Sequence, residues 1–249
     1  MILDELLLHE SEMRRIRRKD HSSPGDGSLS PIWKWKITNS NGQFLMKQYR
    51  DTTAMPLHLK EMAGLSEEIP SQKLLTKDFF EYEGFPALIF TYINGNHPEL
   101  LTPELSGFIG QSISIFHKKS GLIHGDTHRG NIVIGTSKKP WLIDIDKVSR
   151  GDKHYDIALL VFYELAFQES NKPAMQREGF SAFLEAYNDK VILDDVKRYI
   201  RDIIKESETV SAEELGQNLI SNEKFNSRKH LYTRINDNIK GSLLMAFNP

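Results

Sequence analysis

Cysteine is absent from all 249 residues, which excludes disulfides and thiolate zinc sites and suits a reducing compartment without proving one. No uninterrupted apolar run approaches the roughly 18 to 20 residues that span a bilayer. The opening Met1-Ile2-Leu3-Asp4-Glu5-Leu6-Leu7-Leu8 carries two acids and no basic stretch ahead of its leucines. A cytoplasmic protein is therefore expected, with a peripheral position at the inner membrane face as the alternative. Neither sign of charge dominates: 32 basic and 34 acidic residues leave a net charge of −2, which argues against bulk nucleic-acid binding. Internal repeats, low-complexity tracts and long linkers are missing as well. What is present is a globular composition, 39% hydrophobic, enough to bury a core in one two-lobed unit or two small domains.

The informative stretch is Ile123-His124-Gly125-Asp126-Thr127-His128-Arg129-Gly130-Asn131, followed thirteen residues after Asn131 by Asp144 in Trp141-Leu142-Ile143-Asp144. Leu122-Ile123 and Ile132-Val133-Ile134 are short β-branched runs, and Ser137-Lys138-Lys139-Pro140 reads as a turn. A hairpin follows, whose second strand returns toward the loop and delivers Asp144 beside Asn131. Phosphoryl transfer needs a carboxylate to orient and deprotonate an acceptor hydroxyl, and oxygen ligands that hold Mg²⁺ against nucleotide phosphates. This loop and hairpin offer both.

The pattern His-Gly-Asp-x-His-x-x-Asn with a following Leu-Ile-Asp resembles the kinase-like phosphotransferases, a group that includes aminoglycoside and choline kinases and the lipopolysaccharide-core sugar kinases. The resemblance implies an α+β, two-lobed protein-kinase-like fold, with a small β-rich lobe over residues 1–93 and a larger, mostly helical lobe over residues 94–249. It implies ATP and Mg²⁺ as cofactors, Asp126 as catalytic base, Asn131 and Asp144 as metal ligands, and His124 and His128 as residues that shape the loop. Arg129 would add positive charge near phosphate. Asp146, two residues past Asp144, is expected to point to the opposite face of a continuing strand, toward solvent before acceptor.

Upstream, Ile32-Trp33-Lys34-Trp35-Lys36-Ile37 and Gln43-Phe44-Leu45-Met46-Lys47-Gln48-Tyr49 both alternate about the turn Asn39-Ser40-Asn41-Gly42 and predict a hairpin. By resemblance Lys47 meets the α and β phosphates. Ser23-Pro24-Gly25-Asp26-Gly27-Ser28 stands where a phosphate-covering loop would lie, but lacks G-x-G-x-x-G and reads equally as a plain connection. A short helix is expected within Met55 to Glu68, ahead of Pro70, and a glutamate on it should brace Lys47: Glu61 first, Glu67 in reserve. Phe85 to Gly95 is an apolar strand ending in a turn, similar to the strand that leads into the hinge between kinase lobes. Backbone groups from Thr91 to Ile93 would then bind adenine. Arg14, Arg15, Arg17, Arg18 and Lys19 read first as a solvated edge, and second as a contact for phosphates, an anionic acceptor or an anionic membrane face.

Thr102-Pro103 predicts a helix start and Gly121 its end, with Leu105, Phe108, Ile109, Ser112, Ile113 and Phe116 at helical spacing between them. Tyr155 to Phe167 is apolar on nearly every side and predicts a core helix with Asp156 as its cap, and the resemblance implies that Asp156 also braces the catalytic loop. Later amphipathic stretches include Phe180 to Tyr187 and Val196 to Ile204, and Ser211-x-x-Glu214 reads as a capping box. Only eleven residues separate Asp144 from Asp156, with no Ala-Pro-Glu-like anchor. A small molecule or sugar, including a membrane-associated glycolipid headgroup, is therefore the expected acceptor, and the layout looks most like the lipopolysaccharide-core sugar kinases. The alternatives are a protein Ser/Thr kinase, effector or regulatory, with a docking face at Lys224, Arg228, Lys229 and Arg234, and a nucleotide-binding pseudokinase without turnover.

Overall fold

The computed structural model describes residues 12–18, 31–50, 57–63, 68–170, 172, 174–217 and 219–241. The expected glycine-bearing loop at Ser23–Ser28 and the reserve brace Glu67 lie outside them, as do the side chains of the basic cluster.

Strands β1 (Glu12–Arg18), β2 (Pro31–Asn39), β3 (Gly42–Tyr49), β4 (Phe80–Tyr82) and β5 (Phe85–Thr91) form an antiparallel sheet in the order β1-β2-β3-β5-β4. The two-residue turn Ser40-Asn41 sets the register of β2 on β3, pairing Asn39 with Gly42 and Lys34 with Lys47. Alternation then sorts the faces. Ile37, Met46, Ala87 and Ile89 bury a small cluster on one side, packed by Trp35 and Phe44. Lys34, Lys36, Leu45, Lys47, Leu88 and Phe90 face the other way, toward the helical lobe. Helix α1 (Leu57–Ala63) contributes Leu59 and Met62 to the main core.

After β5 the chain becomes mostly helical. Helix α2 (Pro103–Ser120) starts on Thr102, whose side chain accepts from Leu105 N–H, and ends at Gly121 in the left-handed conformation (φ 68°). Both boundaries are as the sequence predicts, although Phe108 is 44% exposed and does not join the packed face. A small sheet of β6 (Gly95–Asn96), β7 (Ile132–Gly135) and β8 (Pro140–Leu142) carries the expected hairpin between Asn131 and Asp144. Helices α3 (Lys153–Glu169), α4 (Arg177–Tyr187), α5 (Leu193–Gly216) and α6 (Asn222–Gly241) complete the lobe, with α3 at its centre. Gly110 of α2 lies so close to α4 that a Cβ there would sit 2.3 Å from the Phe183 carbonyl oxygen, so the helix contact depends on a bare backbone.

Two local expectations fail for identifiable reasons. Helix α3 is capped by Asp152, which accepts from His154 N–H at 3.0 Å, and Asp156 falls a full turn inside the helix. The Ser211-x-x-Glu214 pair starts no helix, because α5 runs through it to Gly216 and both side chains instead accept from Arg228 of α6. Among the described residues no helix is long and apolar enough to cross a membrane.

Candidate active site

The loop from His124 to Asn131 is held from below. Asp156, fully buried, accepts from the backbone N–H groups of His124 (2.6 Å) and Gly125 (2.8 Å) and pairs with His117 Nε2 at 2.8 Å. His117 Nδ1 in turn meets the Tyr187 hydroxyl at 2.8 Å, so a polar chain from α2 and α4 fixes the loop's entry. Burial opposes the charge of Asp156, but His117 and the loop N–H groups outweigh it and hold the carboxyl below its ordinary range. Gly125 takes φ 76°, and a Cβ there would lie 2.4 Å from the Lys147 carbonyl oxygen.

Both loop histidines act as expected. His124 Nε2 meets the Ile143 carbonyl at 2.9 Å and ties the loop to the end of the hairpin. His128 Nδ1 accepts from Gly130 N–H at 3.0 Å and starts a 3-10 turn over Arg129–Asn131. That turn brings Asn131 back onto Asp126: its Nδ2 donates to the Asp126 carbonyl at 2.9 Å and to Oδ2 at 3.1 Å. With the amide nitrogen committed, Oδ1 is the atom Asn131 offers to a cation. Asp126 is otherwise 3.6 Å from Lys147 Nζ and borders a cleft of about 420 Å³. Tyr155 and Tyr163 of α3, Glu206 and Glu214 of α5, and Arg228 and Tyr232 of α6 line the rest of this cleft.

Asp144 sits across the hairpin in the left-handed conformation (φ 63°), which aspartate adopts more readily than most residues other than glycine. The kink ends the strand alternation and leads into a 3-10 turn over Ile145–Lys147. Asp146 therefore does not point to solvent. It is buried against Lys47 Nζ at 2.8 Å and the Tyr49 hydroxyl at 3.0 Å, while Lys47 also donates to Asp144 at 2.7 Å. Burial opposes the charge of Lys47, yet the two carboxylates outweigh it and raise its pKa. Burial raises Tyr49 well above its ordinary range, and Asp146 adds to the effect. Burial likewise opposes the charge of Asp144, but Lys47 and Lys34 hold it far below the usual carboxylate range. The brace of Lys47 is thus a pair of aspartates from the other lobe. Glu61 takes no part: it accepts from Arg150 at 2.8 Å and lies 3.8 Å from His58.

Residues 111–190, from within α2 through the loop, the hairpin, α3 and α4, match the family model described as Phosphotransferase enzyme family, APH. An aminoglycoside phosphotransferase of Alicyclobacillus acidocaldarius shares the fold at TM-score 0.58 and 11% identity, with 91% of each chain covered. The ethanolamine kinase of Plasmodium vivax does so at TM-score 0.61 and 12% identity, covering 94% of this chain and 85% of the kinase. The chain has the kinase-like phosphotransferase fold. An AMP-bound spectinomycin phosphotransferase is also similar, at TM-score 0.55 and 13% identity over 84% of this chain and 88% of its own. No curated protein matches by sequence.

Within that kinase-like frame, two residues carry duties the sequence did not suggest. Gln72, nearly fully buried, accepts from the Asp144 N–H at 3.2 Å and donates to the Thr91 carbonyl at 2.9 Å, clipping the left-handed turn to the hinge strand. Thr91 N–H donates to the Lys73 carbonyl at 2.9 Å as well. Both backbone groups of Thr91 are therefore engaged within the protein. Lys34 of β2 is the second such residue, bonded to both oxygens of Asp144 at 3.0 and 2.9 Å.

Arg129 departs from its expected place near phosphate. Its guanidinium makes a bidentate pair with buried Glu164 (2.8 and 2.6 Å), reaches the Glu99 carbonyl and lies 4.0 Å from the Phe167 ring centre. It bolts the loop to α3. Arg129→Met should cost about 3 to 5 kcal/mol of unfolding free energy by stranding Glu164, with nucleotide affinity retained in the folded fraction. Urea unfolding with and without MgATP tests this, and a loss of affinity at unchanged stability would return Arg129 to the phosphates. The expected basic docking face is also reduced, since Arg228 pairs with Glu214 and Arg234 with Glu169.

Proposed function

We propose that the protein transfers the γ-phosphoryl group of ATP to a hydroxyl of a small molecule or sugar. The observation that carries this reading is the position of Asp126, whose carboxylate joins Asn131 on one side and borders the 420 Å³ cleft on the other. A pocket of that size suits a compact acceptor. The cleft is walled by α3, α5 and α6, whose side chains would surround the acceptor beside Asp126.

In this reading ATP lies between residues 1–93 and 94–249, with Lys47 on its phosphates. The donor set fits Mg²⁺: an amide oxygen of Asn131 and the carboxylate of Asp144 are hard oxygen ligands, and Mg²⁺ ordinarily takes only one or two protein groups beside phosphate and water. Magnesium so held would neutralise charge that develops on the transferred group. Asp126 orients the acceptor hydroxyl and takes its proton, and Asn131 fixes the direction in which that carboxylate points. The buried chain of Tyr187, His117 and Asp156 keeps the loop from shifting during the step.

The test is transfer of label from [γ-³²P]ATP onto separated pools of sugars, glycolipids, amino alcohols, aminoglycosides and proteins. Label in a small-molecule or sugar pool is the expected result. Label confined to proteins would overturn the acceptor class, and no Mg-dependent label in any pool would overturn the activity.

A further inference from the structure

Lys34 and Lys47 are direct cross-strand partners on β2 and β3, and both ammonium groups converge on Asp144. Like charges placed opposite one another weaken a sheet, and burying them adds to the cost. Lys47 is fully buried and the Lys34 side chain only 20% exposed. A lysine at position 34 that served only the sheet could point its ammonium to water, as a long side chain readily does. Instead it crosses to the opposite lobe and spans both oxygens of the carboxylate that the proposed function gives to Mg²⁺.

We infer that Lys34 is a second phosphate-binding cation, which shares Asp144 with Mg²⁺ and passes to the triphosphate when the metal takes that carboxylate. The inference rests on the function proposed above. Lys34 and Lys47 against Asp144 and Asp146 form a neutral set. A divalent cation that enters on Asp144 displaces positive charge from it, and the displaced ammonium groups stay in a buried place only if an anion meets them. The phosphates of MgATP are that anion. Lys47 keeps Asp146 as a partner, so Lys34, whose ammonium group is hydrogen-bonded among the described residues to Asp144 alone, is the one that moves.

The inference predicts opposite effects on two ligands. In Lys34→Met, MgATP measured by calorimetry should bind about tenfold more weakly, the loss of one hydrogen bond to a charged group. Mn²⁺ alone, counted by electron paramagnetic resonance, should bind more tightly, because one competitor for Asp144 is gone. Lys34→Arg, which keeps the charge, should retain most of the MgATP affinity, and its circular dichroism provides a folded reference. Unchanged or tighter MgATP binding in Lys34→Met would overturn the inference and make Lys34 a plain ion partner or a block on the site. If the wild-type protein itself binds no MgATP, the proposed function fails first, and this result is distinct from a failure of Lys34 alone.

Discussion

Asp126→Asn is expected to lower turnover by about 100-fold to 10,000-fold while MgATP affinity stays close to that of the wild type, the range set by loss of a positioned general base. The substitution is nearly isosteric, and the contacts around it say what survives. The Asn131 Nδ2 bond to the Asp126 backbone carbonyl at 2.9 Å does not involve the side chain. The second bond, to Oδ2 at 3.1 Å, can be made to an amide oxygen. The loop itself hangs on Asp156 through His124 and Gly125 and is untouched. What is lost is the negative charge facing the cleft and the ability to take a proton. Rapid-quench single turnovers with the acceptor pool identified by labelled transfer, paired with calorimetry for MgATP, separate the two quantities. A variant that turns over at the wild-type rate would remove Asp126 from the chemistry.

The parts of this molecule that could be read from sequence are those set by near neighbours. Alternation about Ser40-Asn41 gave the β2–β3 hairpin, Thr102-Pro103 and Gly121 bounded α2, and the spacing from Asp126 to Asn131 placed both on one loop because a single 3-10 turn closes the distance. The same hairpin register already sets Lys34 opposite Lys47, so that pairing was open to a count back from the turn. The partners of Lys47 were not, because they depend on how two lobes meet and on a left-handed residue at Asp144 that breaks the strand period. An extended strand would have sent Asp146 outward; the kink sends it to Lys47, and Glu61 is left to Arg150. Gln72 carries no local signal at all, since its two bonds join residues that are distant from it in the chain. Ser211-x-x-Glu214 shows the converse error, a local signature overridden by a helix whose burial of Val196, Ile200, Ile203 and Ile204 continues through it.

The second large effect is expected from Asp144→Asn, through the metal and not through the acceptor. Lys47 and Lys34 keep this carboxylate ionised far below neutral pH, so it is a full anion wherever the protein is assayed. In the proposed function its removal takes a charged oxygen ligand from Mg²⁺, and turnover should fall by roughly 1000-fold, the several kcal/mol that a metal-held charge contributes in the transition state. The Mg²⁺ concentration needed for half-maximal rate should rise as well. Free ATP should respond in the opposite direction. With Asp144 neutral, Lys34 and Lys47 face Asp146 alone, the cluster carries a net positive charge, and triphosphate measured in EDTA should bind at least as well as to the wild type. That split distinguishes a metal ligand from a structural ion partner, whose loss would weaken the fold and both forms of nucleotide together. An unaltered Mg²⁺ dependence in Asp144→Asn, with the protein folded by circular dichroism, would mean that the cation is held elsewhere.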